Sequence, residues 1–336
     1  MAKDTDSDEH KSTDVYEAKS PSINEKIMEI CIQALLNQKD NAKRLLHINH
    51  YTTGVILYGS REQIARQGLA KSRNPEQLTV LTWNIDGLDP EDGRERLKSL
   101  LLHLGKYRAD VVLLQELVSP ILMVLKEVMT DYEFLQGSND GYFTGILLRR
   151  CRINLVQNSI VKYPTTEMGR NLLMAEVNLT GHQICFMTSH LESLKANSQE
   201  RLNQLRRVWK RMREAPDSQT VIFGGDTNLR DWEMKKLGGL PDGITDVWEV
   251  LGEPEDCKYT WDTVNNNNKE IPFSARLRFD RVYMRAAREG AQLRPDTMTL
   301  DYQMSWHFLA TCFCSDQRRL GRLLILSTGH ILNLIS

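Results

Sequence analysis

VIFGGDTNLRD, residues 221–231, sets an apolar triplet against two glycines and then an acid, a hydroxyl, an amide and, after Leu229, a guanidinium. Val221-Ile222-Phe223 bounded by Gly224-Gly225 reads as a short buried strand. A buried strand that ends in Asp226, Asn228 and Arg230 brings unlike polar groups to one rim, where each must find a partner or a ligand. The same pattern recurs along the chain. Val80 to Trp83 runs into Asn84-Ile85-Asp86, Val112 to Leu114 into Gln115-Glu116, and Phe186 to Thr188 into Ser189-His190-Leu191-Glu192.

Helical periodicity lies between these runs. Arg94–Tyr107, Pro120–Met129 and Arg201–Arg213 carry apolar residues at helical spacing, whereas Leu78–Trp83, Val111–Leu114, Tyr142–Leu148, Leu173–Leu179, Ile184–Thr188 and Phe279–Met284 read as strands. Thr180-Gly181 between two of them predicts an antiparallel hairpin. Mixing a hairpin with strand–helix crossovers predicts sheets covered by outer helices, an α/β sandwich.

The chain of 336 residues is 41% hydrophobic, enough for a sizeable core, and its 43 Lys+Arg nearly balance 44 Asp+Glu. No whole-molecule basic field is available, so any polyanion must be gripped locally. Cys31, Cys151, Cys185, Cys257, Cys312 and Cys314 form no CxxC pair, which predicts reduced thiols and an intracellular home. No membrane contact is expected: the most apolar stretch, residues 321–336, is interrupted by Gly329, His330 and Asn333. Residues 1–20 are polar and predict a disordered tail, 21–70 a helical segment, and Lys71–Gln77 a linker.

Carboxylates at buried strand ends suit a hard cation. Magnesium takes oxygen ligands from one or two carboxylates, waters and a substrate phosphate. Glu116 and Asp86 fit the ligand role, Asn84 and Asn228 can donate to phosphate oxygens, Asp226 can take a proton from water, and Arg230 offers a forked phosphate clamp. A lone Asn or Asp after a strand is usually a turn former. Four strand ends agreeing in order and type are the stronger observation.

In this order TWN (82–84), LQE (114–116), SHLES (189–193) and GGDTN (224–228) resemble the endonuclease/exonuclease/phosphatase superfamily. TWNIDGLD (82–89), GYFT (141–144), GGDTNLRD (224–231), KYTWDT (258–263) and LRFDR (277–281) are similar to its 5′-tyrosyl-DNA phosphodiesterase branch, over residues 76–300. The resemblance implies a four-layer α/β sandwich that uses magnesium, with manganese as the alternative, to cut the bond between a DNA 5′ phosphate and the tyrosine of a trapped topoisomerase. It implies Asp86 and Glu116 at the metal, Asp226, Asn228, His190 and Asn84 as catalytic, and Arg230 on the scissile phosphate. A single-stranded 5′ end would run along Asn84, Ile85, Asp86, Gly87 and Leu88, along His190, Leu191, Glu192 and Ser193, and past the aromatic residues Tyr142, Trp261 and Phe279. It also implies nuclear work, with a cytoplasmic pool, and a ubiquitin-associated module within 21–70.

The resemblance stops abruptly near Asp301, as a changed reading frame would produce, and 301–336 is an atypical tail. The superfamily closes its site with a Ser-Asp-His string. Here Ser315-Asp316-Gln317 lacks the histidine and Ser305-Trp306-His307 lacks the aspartate. An impaired enzyme is therefore expected. The competing readings are a catalytically weak binder of DNA ends or signalling proteins, and another phosphodiesterase of the superfamily.

Overall fold

The computed structural model describes residues 77–89, 93–265, 272–290, 292–301, 309–314 and 322–326. The tail 1–20, the helical segment 21–70 and the triplets 305–307 and 315–317 lie outside the described residues.

In chain order the elements are β1 (Gln77–Asn84), α1 (Gly93–Tyr107), β2 (Val111–Val118), α2 (Ser119–Val128), β3 (Tyr132–Gln136), β4 (Tyr142–Arg149), β5 (Asn154–Lys162), β6 (Asn171–Leu179) and β7 (His182–Ser189). There follow α3 (Ser198–Glu214), β8 (Gln219–Asp226), α4 (Asp231–Leu237), β9 (Thr245–Asp246), α5 (Val247–Val250), β10 (Trp261–Asp262), β11 (Arg276–Leu277), β12 (Asp280–Arg285), β13 (Arg294–Asp301), β14 (Leu309–Cys314) and β15 (Arg322–Leu326).

Two sheets form. One runs β13-β14-β15-β1-β2-β4-β3 and the other β5-β6-β7-β8-β12-β9. The strand period of two explains how they stack. In β1, Leu78 and Val80 point between the sheets and meet Phe186, Ile222 and Val282, while Leu81 and Trp83 point outward to Leu97, Leu100 and Leu104 of α1. In β8, Ile222 faces between the sheets, and Val221 and Phe223 face outward to Leu202, Leu205 and Met212 of α3. Each core strand is thus apolar on both faces, and the layers read helix, sheet, sheet, helix. This is the four-layer sandwich expected from the sequence.

β1 runs parallel to β2, and β7 parallel to β8. Parallel neighbours put their C-terminal ends on the same rim, where the polar strand ends collect. The expected hairpin joins β6 to β7, with Thr180 and Gly181 both at positive φ, as a two-residue turn demands. β3 and β5 were not expected. β5 is the edge of its sheet with most of its side chains in solvent, so its sequence carries no apolar alternation.

Candidate active site

Asp226, the last residue of β8, is fully buried and surrounded by donors. Its Oδ1 accepts the backbone N–H of Asn228 at 2.8 Å, and its Oδ2 accepts from Asn84 Nδ2 at 3.3 Å and lies 3.3 Å from His190 Nε2. Asn84, at the end of β1, splits its amide: Nδ2 also donates to Glu116 Oε1 at 3.2 Å, while Oδ1 accepts the backbone N–H of Asp86 at 3.0 Å. One neutral amide therefore spans two buried carboxylates drawn from different sheets.

Backbone geometry at this rim is unusual. Three of the seven non-glycine residues with positive φ among the described residues are Asp86 (49°), Glu116 (54°) and Asn228 (51°). Asp and Asn enter this region readily, but a left-handed Glu costs on the order of 1–2 kcal/mol. Glu116 is held there by a register shift between Leu114 and Leu117, where β2 pairs with β4. The sequence reading put Gln115-Glu116 at a strand end; they lie inside β2, at a bulge that turns the Glu116 side chain toward the site. The preceding Gln115 is buried and donates to Thr82 Oγ1 and Thr188 Oγ1, tying β1, β2 and β7 together directly behind the bulge.

Two glycines permit the close approach. A Cβ on Gly87 would sit 2.3 Å from the Glu116 carbonyl oxygen, and one on Gly225 would sit 2.3 Å from the Ser189 carbonyl oxygen. Neither oxygen belongs to a flexible side chain, so these positions exclude any larger residue without moving strands.

Glu116, Tyr142, Thr144, Met168, Arg170 and His190 line an open cleft. Arg170 was not anticipated from the sequence. Its Nη1 donates to His190 Nδ1 at 2.8 Å, its Nη2 to Ser193 Oγ at 3.1 Å, and its guanidinium lies 4.8 Å from the Tyr142 ring centroid. Arginine cannot accept a hydrogen bond, so His190 Nδ1 must be the acceptor and the ring proton belongs on Nε2, facing Asp226. Burial pushes the Tyr142 phenol above its ordinary value, with Arg170 opposing the shift.

Other expected site residues fall in different places. Ser193 Oγ accepts from Asn228 Nδ2 at 3.3 Å, and the same amide nitrogen donates to the Leu191 carbonyl at 3.2 Å, so the Asn228 amide turns inward and its buried Oδ1 has no hydrogen-bond partner among the described residues. Ile85, Leu191, Trp261 and Phe279 are buried in the interior rather than on the cleft wall. Trp261 packs on Phe279 at 5.7 Å, which matches core packing, and Arg230 lies 5.3 Å from the Phe279 ring centroid. Burial and the nearby Arg201 lower the Arg230 value, and its Nη1 donates to the Asn228 carbonyl at 2.8 Å. Leu88 is exposed. Glu192 is fully buried with its carboxylate turned away from the cleft, because loop donors fill both oxygens. Asp86 approaches Arg96 Nη1 at 3.8 Å.

The Endonuclease/Exonuclease/phosphatase family model matches residues 81–316. A Danio rerio protein named tyrosyl-DNA phosphodiesterase 2 is 46% identical over 262 residues, which is 78% of this chain and 71% of that protein. The Homo sapiens protein of the same name is 46% identical over 230 residues, 68% of this chain and 64% of the relative. The curated relatives are spanned over 60% to 71% of their own lengths. Among solved structures, D. rerio TDP2 complexed with single strand DNA product superposes with a TM-score of 0.68 at 45% identity, covering 71% of this chain and 98% of that one. Truncated Caenorhabditis elegans TDP2 superposes with a TM-score of 0.63 at 27% identity, again covering 71% of this chain and 98% of that one.

Proposed function

Because the chain belongs to the endonuclease/exonuclease/phosphatase family, within its tyrosyl-DNA phosphodiesterase 2 group, we propose that it hydrolyses the bond between a tyrosine and a DNA 5′ phosphate with the help of a divalent metal ion. The observation that carries the reading is Asp226, fully buried behind the cleft-lining His190; its carboxylate accepts from Asn84 and the backbone N–H of Asn228 and lies 3.3 Å from His190 Nε2.

The donor set fits such an ion. Glu116 and Asp226 are buried carboxylates that share the Asn84 amide, which leaves a surplus of anionic oxygen where a hard cation gains most. Among the described residues no three His, Cys, Asp or Glu side chains converge as a ready-made cage. Magnesium takes few protein ligands and completes its shell with waters and substrate phosphate. Glu116 would hold the ion, with Asp86 beside it; magnesium is our assignment and manganese the alternative. When bound, the ion supplies Lewis-acid stabilisation of charge on the phosphoryl oxygens.

The chain's own residues do the rest. Asp226, fixed through both oxygens, orients water and takes its proton. Arg170 keeps His190 in one tautomer, with the ring proton on Nε2, 3.3 Å from the Asp226 carboxylate, so the ring does not compete for the proton. Tyr142, partly exposed on the cleft wall, offers a face on which a base or ring can stack whatever the sequence. Arg230, half-buried beside the Asn228 carbonyl, is the phosphate clamp. A tyrosine phenolate, with an ordinary pKa of about 10, leaves without a strong general acid.

A near-neutral chain can manage this substrate because a short single-stranded end presents few phosphates. The substrate class implies nuclear work on topoisomerase remnants, with a cytoplasmic pool, and ubiquitin recognition by residues 21–70 is a separate proposal that a pull-down with that segment tests. The missing Ser-Asp-His string removes one donor to the transition state, a loss on the order of 10²–10³ in rate. The test is a substrate panel with and without magnesium: a 5′-phosphotyrosyl single-stranded oligonucleotide, a duplex with an abasic site, and a phosphoinositide. Metal-dependent turnover of the first in preference to the others is expected, and preference for either alternative would refute the assignment.

A further inference from the structure

Glu192 is a buried carboxylate on which, among the described residues, no cation sits. Its Oε1 accepts the backbone N–H groups of Glu167 at 2.8 Å and Met168 at 3.0 Å; its Oε2 accepts from Thr166 Oγ1 at 3.0 Å and from Gln204 Nε2 at 3.0 Å. All four donors are neutral, and three belong to the loop that leads from Tyr163 to Arg170. Burying an anion this way is costly unless every lone pair is used, and here the anion gathers a loop that is also tied to α3 through Thr165 Oγ1 and Glu200 Oε2 at 2.6 Å.

The loop delivers part of the cleft. Met168, Gly169 and Arg170 follow directly and line its wall, and Gly169 takes the left-handed turn at φ 68°. Thr166 passes the constraint on: while its hydroxyl donates to Glu192, its oxygen accepts the backbone N–H of Arg170 at 2.9 Å. Arg170 Nη2 then reaches Met168 Sδ at 3.5 Å and Ser193 Oγ at 3.1 Å, and Nη1 reaches His190 Nδ1 at 2.8 Å. His190 and Ser193 lie on the same short stretch as Glu192, so one segment holds both ends of the Arg170 arch.

We propose that Glu192 is a positioning residue, which acts through the loop 166–168 to fix the Arg170 guanidinium against His190. The proposal rests on the phosphodiesterase reading for its kinetic consequence but not for its structural one. Replacing the carboxylate by an amide turns a donor toward Thr166 and Gln204, so the loop is released although size and shape are kept.

The experiment compares the full chain with Glu192→Gln, Arg170→Ala and the double variant. On a 5′-phosphotyrosyl oligonucleotide, Glu192→Gln is expected to lower kcat by about 10–100-fold with KM changed by no more than about threefold, the size of loss typical when a supporting contact behind a functional group is removed. The double variant should be no slower than the slower single variant, because both act through one group. Multiplying losses, or an unchanged kcat in Glu192→Gln, would overturn the proposal. Hydrogen exchange supplies a readout independent of catalysis: the Glu167 and Met168 amides should exchange at least about tenfold faster in Glu192→Gln, and unchanged protection would also overturn it. Should the chain release no tyrosine at all, the phosphodiesterase reading fails, while the exchange result still decides the role of Glu192. If Glu192→Gln does not fold, Thr166→Val cuts the link to Arg170 at a partly exposed position, and its failure to lower kcat or to loosen the loop would count against the proposal.

Discussion

Replacing Asn84 by Asp changes one amide nitrogen to oxygen and keeps the shape, so it isolates what the amide donor does. That nitrogen lies 3.2 Å from Glu116 Oε1 and 3.3 Å from Asp226 Oδ2. With a third carboxylate there, each contact becomes a repulsion of about 5 kcal/mol at an effective dielectric of about 20. Three ionised groups cannot share the site, so one proton stays bound at neutral pH, as in other close carboxylate pairs. A single O–H then replaces two N–H donors, and one of the two carboxylates loses its partner. Asn84→Asp should fold, and its kcat for tyrosine release should fall by about 10²–10³ at neutral pH, as when one preorganised donor is lost. The defect should deepen as pH rises and the shared proton leaves. Steady-state kinetics between about pH 6 and 9, alongside a thermal melt, make the assay. A rate within about threefold of the unaltered chain across that range would refute the role given to the amide.

Gly225→Ala should destabilise the chain by roughly 1–3 kcal/mol or more, since the new Cβ falls 2.3 Å from the Ser189 carbonyl oxygen; a denaturant midpoint unchanged from the parent would contradict the close strand approach. The Arg201–Glu233 pair at 2.6 Å is fully buried on both sides, so Arg201→Met should cost roughly 3–5 kcal/mol by stranding the acid. Burial pushes the Glu233 carboxyl up, but hydrogen bonds led by Arg201 outweigh it and leave the group below its ordinary value. Its contribution is therefore complete above the ordinary carboxylate range and lost as pH falls through the lower folded value, and urea melts on Glu233→Gln should show a flatter acid limb. Burial pushes the Cys185 and Cys257 thiols up to about 12, whereas Cys151 is exposed, so a thiol reagent near neutral pH should modify Cys151 and spare the other two in the native state.

Much of this was legible because burial leaves a pattern. Val80 to Trp83 and Val221 to Phe223 announce strands apolar on both faces, and the acids and amides after them stand out against that background. Asn84, His190 and Asp226 meet as their positions suggested, since parallel neighbours end on one rim. What the pattern hid was set by tertiary geometry. Arg170 lies in the polar loop before β6, and no local periodicity marks a loop arginine as a partner of His190. The bulge at Glu116 is invisible in VVLLQELV, which reads as a plain apolar run with a polar pair. Glu192 and His190 sit two residues apart in SHLES, yet the fold turns one carboxylate inward to a loop and the imidazole toward Asp226. Trp261 and Phe279, which the resemblance assigns to a DNA groove, pack on each other in the interior, an arrangement that no local pattern in KYTWDT or LRFDR announces.

The central claim, that Asp226 in its three-sided cradle drives metal-dependent cleavage of a phosphotyrosyl bond, is tested most directly by single-turnover release of tyrosine from a 5′-phosphotyrosyl oligonucleotide. The full chain and Asp226→Asn should be compared with magnesium and with chelator. The account expects release by the full chain with magnesium, none with chelator, and a loss of at least about 10² in the variant at equal folding. Equal rates in the two proteins, or release that ignores the chelator, would contradict it.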